Sequence, residues 1–433
     1  MKPDLGSLRI DGVYPQRQKG FLMQRIKLPA GILSAEQAKK VSEISDRFAR
    51  SRIHLTTRGS MELHWLTEET LPEVARQLAS VGLITRGACG GAVRGVVCGF
   101  PTAGGSQRLE GLARMIHCHF SGNPHFERLP KKFKIGIEAD TGSGRHLIQD
   151  LGLVPCKGDD DNAAYNVWVA GGLGREPVPG FLLAENVPED RILSMIEAVL
   201  RLYVACTPSG KRLKHLVREI GQDEFRSRIF ADRSISESIP VVKGLATSLL
   251  SQLATTDHRL EAKVFAGELS SSDLNALAGF AENWAGGILL VTADQNVAFH
   301  LGRGIDAAAA GEELVYAGFH GTNRKERVNI RVCPGNHECM AGLAPTREIA
   351  EELLNRMGPV AMKYTWAFSG CPNSCTRPQL ADAGIVAARL VRSENGREPL
   401  FDLYRATGDG CFATIVQSGL TREGLLSAVA ASG

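Results

Sequence analysis

Lys27 opens the run KLPAGILSAEQAKKVSEISDRFARSRIHLTTRGSMELHW, and Lys263 opens KVFAGELSSSDLNALAGFAENWAGGILLVTADQNVAFHL. The two align without a gap at a constant offset of 236 residues. Lys27, Ala30, Gly31, Leu33, Ser34, Ala49, Thr56 and His64 meet identical residues, while Phe48 meets Trp284, Ile53 meets Leu289 and Leu63 meets Phe299. Matched apolar positions across the whole run mark an internal repeat.

Each copy reads strand, helix, strand. Ser34 with Gln37 forms a capping-box signature, and Ala38, Val41, Ile44 and Phe48 recur at helical spacing. In the second strand Leu55, Thr57, Met61 and Leu63 alternate with Thr56, Arg58, Ser60, Glu62 and His64. A larger segment follows each copy, and these segments echo one another more faintly. Lys132–Ala139 and Tyr364–Gly370 both read as strands entering a site, and Tyr165–Gly172 resembles Phe401–Gly408. The expected fold is an internally duplicated α+β protein. Residues 1–66 and 236–305 form the repeated half-domains, 67–235 and 306–433 the larger segments, with a connector over Ser234–His258.

The 433 residues are 43% hydrophobic and 22% charged, enough for two or three buried cores. A net charge of +3 is too small for a nucleic-acid binder. The N-terminus MKPDLGSLRIDGVYPQR has no signal-peptide apolar stretch, and no run reaches the length of a membrane span. The expectation is a cytoplasmic protein. In that reducing setting the ten cysteines point to metal or redox chemistry rather than a disulfide framework.

Four of those cysteines are paired, as Cys333-x5-Cys339 and as Cys371-x3-Cys375 within FSGCPNSCTRP. Four thiolates suit an iron–sulfur cluster or a structural zinc, and unligated core cysteines are the bland alternative. The five-residue gap is long for a zinc knuckle. Pro372 and its neighbours read as a turn opening a helix, whose free N–H groups would favour an anionic cluster. Cys89, Cys98, Cys118, Cys156, Cys206 and Cys411 show no ligand spacing and read as buried cysteines.

A second signal is cationic. Lys132 and Lys134 are two apart on an expected strand and face one way, and Arg25 and Lys27 repeat that spacing. Arg58 sits on the polar face of its strand, and Arg94 lies among small residues in GAVRGVV. Singly each is a solvated side chain; together, beside glycine-rich turns, they suit a small oxyanion. GACGGAVRG lacks the strand–GxGxxG–helix register of a dinucleotide site.

The two cysteine pairs, LTTRGSMELHW, LPKKFKIGI and VAGGLG together resemble the siroheme-dependent sulfite and nitrite reductases, from about Phe21 to the C-terminus. The resemblance implies two ferredoxin-like half-domains. It implies Cys333, Cys339, Cys371 and Cys375 as ligands of a [4Fe–4S] cluster, with Cys375 also bridging to the siroheme iron. Arg25, Arg94, Lys132 and Lys134 match the cations around the oxyanion. Thr56, Arg58, His64, Lys131 and Asn373 match siroheme contacts, and Lys211, Arg212 and Lys214 resemble a further basic stretch near the cofactor. His54, Gly59, Ser60 and Gly95 depart from the family's usual residues.

The implied reaction is the six-electron reduction of sulfite to sulfide. Lys134 favours it, because nitrite-reducing members often carry asparagine there. Nitrite reduction to ammonia, a precorrin-3B-synthase-like reaction on a tetrapyrrole, and a zinc-stabilised binding protein are the alternatives. No flavin or nicotinamide motif is present, so electrons are expected from a separate ferredoxin, flavoprotein or partner subunit.

Overall fold

The computed structural model describes residues 7–100, 105–157, 163–239, 255–302, 304–319, 324–394, 396–408 and 412–431. Most of the expected connector, and Cys411, lie outside them. No helix among the described residues is long and apolar enough to cross a membrane.

The repeat is realised at its sequence offset. The helices Ala35–Phe48 and Ser271–Trp284 occupy equivalent positions, each capped by its preceding serine. Ser34 accepts from the Gln37 N–H and Ser270 from the Asp273 N–H, and both capping boxes are closed. Removing either cap, as Ser34→Ala or Ser270→Ala, is expected to cost about 1 kcal/mol, read as a lower urea midpoint.

Each copy builds a small antiparallel sheet, and each sheet borrows a strand from the other. The first runs Val13–Pro15, Leu22–Ile26, Met61–Leu66, Arg52–Leu55, then Glu268–Ser270 from the second copy. The second runs Thr255–Ala262, Val297–Gly302, Ile288–Val291, then Ile32–Ser34 from the first. Strand alternation makes the exchange work. Leu33 and Leu269 point into one core shared by both copies, whereas Ile32 points into the core of the first large segment. Gly31 precedes the borrowed strand with φ +82°, and a Cβ there would lie 2.2 Å from the Val291 carbonyl oxygen, so only glycine fits.

The two large segments share a topology. In the first, Val97–Cys98, Ile135–Ile137 and Leu151–Lys157 are parallel neighbours, followed by antiparallel Ala163–Val169 and Phe181–Pro188. In the second, Asn329–Val332, Thr365–Ser369 and Ala383–Ser393 are parallel, followed by antiparallel Gly396–Arg405 and Thr414–Leu420. The faint sequence echoes therefore fall on equivalent strands, the second and the fourth of each sheet.

Three local expectations change. The run Leu55–His64 is not one strand: Arg52–Leu55 and Met61–Leu66 form a hairpin, with Thr56–Ser60 as its turn. The Thr56 hydroxyl accepts from the N–H groups of Arg58 and Ser60, both at 3.3 Å, and Gly59 has φ +60°. Lys132 and Lys134 precede the strand Ile135–Ile137, on an extended lead-in tied to Val93 at Phe133. The turn at Pro372 opens no α-helix; a short 3-10 turn, Pro378–Leu380, follows it.

Candidate active site

Cys333 and Cys371 converge because of strand pairing. Val332 and Phe368 are register partners on adjacent parallel strands, and each cysteine lies just beyond a strand's C-terminal end. The Gly370 N–H donates to the Cys333 sulfur at 3.1 Å, and a Cβ on Gly370 would lie 2.9 Å from the Gly335 Cα. Ser369 and Thr376 close the intervening loop, their hydroxyls 2.7 Å apart and the Thr376 N–H on Ser369 Oγ at 3.1 Å.

Both hairpin turns of the repeat dock on this structure. Thr57 donates its hydroxyl to the Cys375 carbonyl at 2.7 Å. Gln295, in the equivalent turn, donates to the Val332 carbonyl at 2.9 Å and accepts the Val332 N–H at 2.8 Å. The loop bearing Cys339 is held from the N-terminal side, with Arg17 on the Gly342 carbonyl at 2.9 Å.

All four thiols are free, and Cys375 acts on the other three. Burial first, then Cys375, pushes the Cys333 thiol up; the same causes raise Cys371 to about 11. Cys339 is raised by burial, with Cys375 adding to it. The side chain of Asn373 hydrogen-bonds Cys371 and favours its thiolate. Buried thiols that oppose one another's ionisation need a bound cation to become thiolates. Among the described residues no three such ligands converge on the position of a single ion. Four cysteine thiols are the donor set of a multi-iron cluster.

The cations gather opposite Cys375. Lys132 is lowered to about 8, by burial first and also by Arg212 and Arg94, with Cys375 opposing them. Lys134 is held well below its ordinary value by burial, then by Lys132, Arg212 and Arg58. Arg58 falls to about 9 through burial and Arg94; it donates to Gln149 at 3.0 Å and to the Gly95 and Ile135 carbonyls at 2.7 and 3.0 Å. Burial and Arg25 lower Arg94, which donates to the Gly90 carbonyl at 2.8 Å. The carboxylate set among them is Asp150, bonded to Arg212 at 2.7 Å and to the Lys134 N–H at 2.8 Å.

Buried Nε of Arg58 and NH1 of Arg94 have no hydrogen-bond partner. Surplus buried positive charge with unmet donors is the environment that a carboxylate-rich macrocycle and a small oxyanion would complete. The residues present fit both groups.

Arg25 differs from the other cations. It is ion-paired to Glu62, with Nε at 3.0 Å, and its NH1 reaches the Cys89 sulfur at 3.4 Å. His64 joins this group through Nε2, 3.3 Å from Glu62, which Arg25 and His64 hold below the usual carboxylate range. These residues share one face of the first small sheet. The same face of the second copy carries Leu290 and Ala298, packed into the first large core. Polar substitutions thus turned a packing face into a site face. Lys131 and Asn373 are exposed, and Lys211 is exposed too. Arg212 and Lys214 are buried, Lys214 against the Gly172 and Leu173 carbonyls at 3.3 Å each. They are not a solvated helix face. Of the cysteines outside the two motifs, Cys89 and Cys98 are buried as expected, whereas Cys118 is exposed and Cys156 and Cys206 are half-buried.

Sequence reasoning gave no role to Glu62, Asp150, Thr57 or Gln295. Lys27 was noted only for its spacing; it is buried, lowered to about 7 by burial and Arg94, and donates to Ser121 at 3.2 Å. Only Glu62 left a trace, as a charge alternating with apolar residues on a strand.

Fold and site together define a duplicated redox protein that holds a cluster and a tetrapyrrole. Residues 14–81 match the nitrite/sulfite reductase ferredoxin-like half domain, and residues 102–235 the nitrite and sulphite reductase 4Fe-4S domain. The second match falls on the first large segment; the paired cysteines lie in its structural twin. The sulfite reductase [ferredoxin] 2 of Mycolicibacterium paratuberculosis is 28% identical, covering 93% of this chain and 80% of the relative. The ferredoxin–nitrite reductase of Synechococcus elongatus is also 28% identical, covering 93% and 83%. The structure of the Mycobacterium tuberculosis NirA protein superposes with a TM-score of 0.81 at 22% identity, over 97% of this chain and 84% of that one, and shows the same fold. The chain belongs to the siroheme-dependent nitrite and sulfite reductase family. It is an oxidoreductase whose cofactors are siroheme and a [4Fe–4S] cluster.

Proposed function

We propose that this protein reduces sulfite to sulfide, with six electrons delivered by a separate ferredoxin. The observation that carries this reading is the placement of Lys132 and Lys134 against Cys375. Cys333, Cys339, Cys371 and Cys375 would hold the cluster, with Cys375 the member that would also serve siroheme. Thr56, Arg58, His64, Lys131 and Asn373 hold siroheme, with Arg58 supplying an unmet buried donor. When bound, the two cofactors supply an iron site for the substrate and one-electron steps.

The chain supplies the electrostatics and the protons. Arg94, Lys132 and Lys134 lack carboxylate partners of their own side chains, so an oxyanion gains their charge without displacing an ion pair. Arg25, paired with Glu62, orients rather than neutralises. Each S–O bond broken releases an oxygen that leaves as water and needs two protons. Lys132, at about 8, is protonated at neutral pH and close enough to release to donate. Nitrite fits the same cations, and the two named relatives divide between the substrates. Lys134 favours sulfite.

Lys132→Ala is expected to lower turnover about 10²- to 10⁴-fold while both cofactors remain bound. The proton-donating form is lost as pH rises through about 8, so wild-type turnover should fall above that pH and the variant's should not. Steady-state rates with sulfite and with nitrite, measured from pH 6 to 10 beside absorption spectra, check both. Unchanged turnover would remove Lys132 from the mechanism, and a large preference for nitrite would reverse the substrate assignment.

A further inference from the structure

The second hairpin turn and the ends of the strands Val97–Cys98 and Ile135–Ile137 enclose a cavity of about 230 Å³. The repeat explains why it exists. At the offset of 236, Thr292 stands where Thr56 does, Asp294 where Arg58 does and Glu261 where Arg25 does, and all three line it. The cavity is the repeat's other rendering of the anion site, with two cations replaced by carboxylates. The strand ends that carry cysteines in the second large sheet here carry Gly99 and Glu138–Asp140.

Most of these charges are already satisfied. Asp294 is bonded to Arg145 at 2.6 Å and Arg331 at 2.9 Å, with Arg377 at 3.5 Å. Glu261 is held by Arg259 at 3.3 Å, Lys263 at 3.2 Å and the Asn296 amide at 2.6 Å. Two atoms on the wall are not. Glu138 is 2% exposed; its Oε2 accepts from Ser143 at 3.2 Å, and its Oε1 has no partner. The Nε of Arg259 is buried and also without a partner. Burial raises the Glu138 carboxyl despite Arg145 and Arg377, as befits an acid with no cation bonded to it. An unmet buried acceptor and an unmet buried donor are each destabilising until a partner reaches them.

We infer that this cavity is a second ligand site for a small zwitterion, a free α-amino acid, whose ammonium bonds Glu138 and whose carboxylate bonds Arg259. Such a ligand meets both demands and adds no net charge to the site. A simple anion leaves the Glu138 Oε1 unmet, and a simple cation leaves the Arg259 Nε unmet. The inference does not depend on which oxyanion the enzyme reduces.

Isothermal titration of the two-cofactor enzyme with glycine, L-alanine and L-serine tests it, with saturating sulfite present to occupy the cationic site. Ethylammonium and propionate serve as half-ligands. The expected result is saturable binding of at least one amino acid, roughly tenfold or more tighter than either half-ligand. Glu138→Gln should weaken it about tenfold or more, and Arg259→Met, on the opposite wall, should do the same should the first variant fail to fold. Absence of saturable heat with all three amino acids would overturn the inference. So would binding displaced by more sulfite, or binding that survives both substitutions.

Discussion

Cys375→Ser is expected to abolish reduction of sulfite and of nitrite, a loss of at least about 10³-fold. Every other thiol of the set feels Cys375, and so do Lys132 and Lys134. Among the described cysteines it is the one whose charge acts on both the other motif thiols and these two lysines. A hydroxyl there is a hard, weakly acidic ligand, unsuited to iron–sulfur chemistry. Thr57 bonds the Cys375 main-chain carbonyl, not its sulfur, so the loop should keep its position. The variant should therefore fold, retain absorbance from at least one cofactor, and lose the spectroscopic coupling between them. Electron paramagnetic resonance of the reduced protein checks this; coupling preserved with serine in place would remove Cys375 from the bridging role.

The second large effect is on stability. Asp150 is fully buried and bonded to Arg212, in the midst of Arg58, Arg94, Lys132 and Lys134. Asp150→Ala leaves these cations without their carboxylate. Removing one partner of a buried ion pair costs about 3–5 kcal/mol. Bound siroheme would bring carboxylates of its own to the same cations, so the penalty should be larger in protein prepared without siroheme. Urea midpoints of the two preparations, wild type beside variant, measure the difference. Equal losses in both would mean that the cofactor's carboxylates do not offset this charge.

Much of the architecture could be read from the chain before its coordinates. The offset of 236 places both capped helices, because capping serines, helical apolar spacing and the Ala-Gly turn are local chemistry. The two cysteine pairs stood out by their spacing, and the structure brings Cys333 and Cys371 to the ends of adjacent strands. Other features were not. The exchanged strands Ile32–Ser34 and Glu268–Ser270 are three residues each, and which sheet such a strand joins depends on tertiary packing. Thr56–Ser60 passed for strand because polar turn residues happened to continue the alternation, though Gly59 was the sign of a turn. Burial of Asp150, Arg212 and Lys214 leaves no local signature, since charged residues are ordinarily exposed and only the assembled site reverses that.

The borrowed strands also bear on how the chain is made. On the ribosome the edge at Arg52–Leu55 is finished early, but its neighbour Glu268–Ser270 emerges only after more than two hundred further residues. At ordinary elongation rates that is on the order of tens of seconds with an open sheet edge, a template for wrong pairing. Neither half can mature as an independent unit, and a nascent N-terminal half is a natural client for chaperones. The same interlock suggests a history: a two-fold dimer of a half-length ancestor, its protomers trading strands, becomes this chain when its two genes are joined. Once joined, the halves were free to diverge, one gathering cations beside the redox centre while the equivalent positions of the other took carboxylates.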